Sequence, residues 1–147
     1  MSEFLLTIPE TTQESIGADA IAGTLAGVKV ELLKTAIAIS PETTLAELQA
    51  AKADYAGYAA GVVTWSAVTR ADDAAIEYLG SCPEFRPTGG TPSNMVQGAY
   101  VENTAGDKWI AACSFDPPGL GMSGAMDSIR LTLRYRPAGG SKVDIIS

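Results

Sequence analysis

Between residues 129 and 135 the chain alternates without a break. Ile129, Leu131, Leu133 and Tyr135 are apolar, Arg130, Thr132 and Arg134 stand between them, and Arg136 continues the polar set. A period of two gathers the apolar side chains on one face of an extended strand, whereas a helix would scatter them. This segment is therefore a strand with one face for a core and one face carrying arginines. Such a strand needs neighbours on its edges and a second layer over its apolar face.

The rest of the chain supplies candidates for both. In residues 28–34, Val28, Val30 and Leu32 alternate with Lys29 and Glu31. Residues 61–69 put Val63, Trp65 and Ala67 on one side and Val62, Thr64, Ser66 and Val68 on the other. Residues 74–82 read as a further strand. Residues 94–102 and 108–115 read as a hairpin with its turn around Asn103 to Asp107. The stretch "DPPGLGMSGAM" is expected to be a loop, because Pro117, Pro118 and three glycines disfavour a ladder. Short strands separated by regular turn signals predict a mainly β fold, a β-sandwich or partly closed antiparallel barrel with one short helix.

The helix signal lies in "SPETTLAELQAAKADYAGYAAG", residues 40–61. Thr44 and Glu47 have capping-box spacing, and Leu45 and Leu48 give one apolar face. The helix is expected over 44–53, as a plug over one open end of the sheets that hides strand edges. Gly57 and Gly61 oppose its continuation, and Tyr55 and Tyr58 suit a strand edge or a bend.

At 147 residues the chain has the length of one domain. Residues 1–27, rich in Gly, Ala and Thr, read as an extended N-terminal arm, 28–140 as the β domain and 141–147 as a C-terminal tail. With the helix closing the sandwich, the arm residues Phe4, Leu5, Leu6, Ile8, Ile16 and Ile21 have no expected core of their own. Burial against another subunit or partner would cover them, and a homo-oligomer is expected. The arginine row repels itself unless acids oppose it. Carboxylates on a neighbouring strand, or an acidic partner surface meeting Arg130, Arg134 and Arg136, would each supply them.

Chemistry is harder to place. The chain has no histidine, which removes Ser-His-Asp and Cys-His arrangements and the usual zinc sites. Ser123 lacks the second glycine of a nucleophile elbow, with Ala125 in its place. "GTLAGVK" is too short for a phosphate-binding loop. Asp72, Asp73 and Glu77 have no glycine among them to make an ion-binding turn, and read as a solvated turn. Trp65, Tyr100 and Trp109 could stack on a sugar, but strand spacing favours a core role. Cys82 and Cys113 match no zinc site and read as buried thiols, with a bridge as the other reading. No enzymatic activity, cofactor or metal is expected. A net charge of −7 disfavours nucleic acid, and no apolar run is long enough for a membrane span. The acidic start "MSEFLLTIPETTQE" does not look like a signal peptide, so synthesis in the cytoplasm is expected.

Residues 30–66, "VELLKTAIAISPETTLAELQAAKADYAGYAAGVVTWS", resemble a type of small virion protein of tailed bacteriophages. The likeness is carried by Pro41, Thr43, Thr44, Leu45 and Leu48, then Gly57, Tyr58 and Ala59, then Trp65. "GAYVENTAGDKWIAACSFDPP" and "IRLTLRYRP" are similar to later strands of the same type, so the likeness spans roughly 28–137. It implies a capsid decoration (cement) protein in the virion, with the major capsid protein or other virion proteins as partners. The alternative is a tail, baseplate or fibre component binding host-surface glycans.

Overall fold

The computed structural model describes residues 2–6, 26–69, 76–88, 94–115, 119–122, 127–136 and 141–146, with the side chains of 2, 3, 5, 67–69, 76, 77, 94 and 146 outside the description. In chain order the described strands are β1 (Ser2–Leu5), β2 (Lys29–Leu33), β3 (Gly61–Val62), β4 (Thr64–Thr69), β5 (Ile76–Ser81) and β6 (Asn94–Val96). They continue with β7 (Gly98–Glu102), β8 (Trp109–Ser114), β9 (Leu120–Met122), β10 (Arg130–Tyr135) and β11 (Lys142–Ile146). The described helix, α1, spans Leu45–Ala50.

Two antiparallel sheets and a ribbon result: β1-β11-β10-β5-β4, β3-β2-β7-β8, and β6-β9. The fold is mainly β, as the alternation requires. Leu131, Leu133, Val143 and Ile145 from the five-stranded sheet meet Val28, Val30, Leu32, Val101 and Cys113 from the four-stranded sheet in the main core. Between Val62 and Thr64 the chain passes from one sheet to the other, with the Val63 N–H bonded to the Val28 carbonyl at 3.0 Å. One buried residue thus ties the two layers together.

The helix starts where its capping box places it. Glu47 N–H donates to Thr44 Oγ1 at 3.3 Å, and Thr44 N–H donates to Glu47 Oε2 at 3.0 Å. It ends at Ala50 rather than near Ala53, because residues 51–53 turn back to pair with the end of β2: Lys34 N–H bonds the Ala51 carbonyl and Ala53 N–H bonds the Leu32 carbonyl, each at 2.8 Å. Nor does it plug an open end. Leu48 packs with Leu33, Tyr100, Trp109 and Ala112 in a second apolar cluster on the outer face of the four-stranded sheet. That face is apolar and has to be covered, and the Trp109 indole N–H bonded to the Thr43 carbonyl at 2.7 Å holds the cover in register.

Two expected boundaries change. The expected tail is strand β11, paired with β10 on one edge and β1 on the other, with Val143 and Ile145 buried. The first residues of the expected arm form β1 on the same sheet; Phe4 stacks on Phe115 at 5.6 Å between ring centroids, and Leu6 also packs against the main core. An intramolecular sheet edge thus takes residues that were assigned to a partner. Leu5 belongs to that strand, whereas Ile8, Ile16 and Ile21 lie outside the described residues. In the expected loop, Leu120–Met122 pair with β6 and Met122 is fully buried. Burial of that side chain outweighs the weak strand propensity of its glycine neighbours.

Candidate interaction surface

The turn from Tyr55 to Tyr58 follows from one glycine. Tyr58 N–H bonds the Tyr55 carbonyl at 3.0 Å, and Gly57 takes a φ of +82°, which a side chain rarely tolerates. The turn brings Tyr58 to the edge of β2 beyond the short β3. There its hydroxyl accepts from Leu32 N–H at 2.9 Å and donates to Glu31 Oε2 at 2.9 Å. A tyrosine hydroxyl thus stands in for a missing strand. Glu31, 5% exposed, also has the Lys52 ammonium 3.5 Å away, so the buried carboxylate has a donor and a cation. Burial first, then the Glu31 charge, pushes the Tyr58 hydroxyl well above the usual phenol range.

The same turn, with Ala59, Ala60 and Gly61, lines one side of a cleft of about 170 Å³, and Pro83, Glu84, Phe85 and Arg86 line the other. Gly61 lets the sides approach, since a Cβ there would lie 3.2 Å from both Phe85 and Pro83. Tyr55 is 3% exposed, and burial alone pushes its hydroxyl up to about 12, so it remains protonated at neutral pH. Its ring meets Tyr58 edge-on, and Tyr58 in turn stacks on Phe85. Arg86 and Glu84 pair at 2.9 Å at the rim. The Ser128 hydrogen bond first, and then the charges of Arg86 and Arg130, hold the Glu84 carboxyl below the usual carboxylate range.

The arginine row is divided by these contacts. Arg134 is paired through Nε with Asp144 of the neighbouring β11, the in-sheet explanation for that residue. Arg136 sits at the end of β10, its backbone N–H bonded to Ser141 Oγ at 3.1 Å. Arg130 is exposed and lies beside Ile129, whose backbone bridges Phe85, so it belongs with the cleft. The three arginines thus have different neighbours, and the arm residues Phe4 and Leu6 pack against the main core.

Other candidates resolve as packing. Tyr100 and Trp109 are buried under the helix and Trp65 packs against the main core, so the three aromatics form no shared platform. Cys82 and Cys113 are free and buried, and burial pushes both thiols up to about 12. Asp72, Asp73 and Ser123 lie outside the described residues. Among the described residues no group of three or more His, Cys, Asp or Glu could hold a metal, and no helix is long and apolar enough to cross a membrane.

Sequence reading missed the Glu31–Tyr58 contact and the cleft. The signal for the first was present in "VELL", where Leu33 on the Glu31 face marks a strand buried on both sides. Comparison of the chain with family models, with curated proteins and with solved structures found no match in any of the three.

Proposed function

We propose that this protein is a virion structural component of a tailed bacteriophage, a decoration protein that binds the outer surface of the shell and strengthens it. The observation that carries the reading is the unit formed by residues 30–66. Four of the positions that bear the resemblance have a structural task there. Thr44 caps the helix, Leu48 seals the outer face of a sheet, Gly57 makes the turn and Tyr58 completes the edge of β2. A sandwich whose sheet is covered on both faces suits a part whose work is to stay folded while bound.

Copy number tests the proposal. The full chain should be found in purified particles in hundreds of copies, in keeping with the symmetry of a shell. A few tens of copies or fewer, read from a stained gel against the shell subunit, would transfer the protein to the tail. Absence from particles would remove it from the virion.

A further inference from the structure

We draw no further inference here: the strongest candidate, the cleft between Tyr55–Gly61 and Pro83–Arg86, carries nothing, because nothing in the structure shows what occupies it.

Discussion

Tyr58 ties its turn to strand β2 and to Phe85. Its hydroxyl is both the acceptor for Leu32 N–H and the donor to buried Glu31. Tyr58→Phe leaves both groups short of a partner and should cost about 2–4 kcal/mol, read from urea melts. Alkali acts on the same chemistry. The folded state holds the protons of Tyr55, Cys82 and Cys113 more tightly than free side chains do, with pKa values up to about 12. Stability from these groups is therefore present below their ordinary values of 9.0 for the thiols and 10.0 for the phenol, and is lost as pH rises toward the folded values. Each should contribute a loss of about 1.4 kcal/mol per pH unit in that window, with melting curves flat between neutrality and the thiol range as the check. Because the thiols are free, Cys82→Ser with Cys113→Ser should cost only about 1–2 kcal/mol per site, and reductant should leave gel mobility unchanged. A mobility change on reduction would contradict the packing reading.

Strand β1 makes the sharpest prediction among the elements. It covers the edge of β11, and its Phe4 stacks on Phe115. Deleting residues 1–6 should expose that edge and lower the melting temperature by several degrees, with a gain in self-association by sedimentation. Thr44→Ala removes half of the capping box and should cost about 1 kcal/mol, loosening the cover over Trp109. The elements also show what could be read in advance. Strand β10 was legible because its alternation is uninterrupted and its arginines cannot face a core. Strand β11 had a similar alternation in Val143, Asp144 and Ile145, but five residues near an end carry too few repeats to be told from a tail. Strand β1 is shorter still. The helix was legible from its caps, but its place was not, because which face of a sheet needs a cover depends on strand neighbours distant in sequence. The cleft was invisible for the same reason: its two walls are joined by the Thr88 N–H on the Ala56 carbonyl at 2.9 Å, a contact between segments distant in sequence, not by any local pattern.

At the scale of the whole molecule, the passage from β3 to β4 through Val63 makes the two sheets dependent on each other. Unfolding should be a single transition. Trp65 stands in the five-stranded sheet and Trp109 in the four-stranded one, so Trp65→Phe and Trp109→Phe leave one reporter on each layer. Each variant should show its remaining fluorescence change at the same denaturant midpoint as its own circular dichroism, and separate midpoints would mean separable layers. The pairing of β1 with β11 has a consequence for how the protein is made. Ser2 lies opposite Ile145, so β1 is made about 140 residues before the strand it pairs with, on the order of ten seconds at ordinary rates of synthesis. Through that interval β1 lacks the strand that belongs beside it, and near its end β10 adds a second open edge that the finished protein never shows.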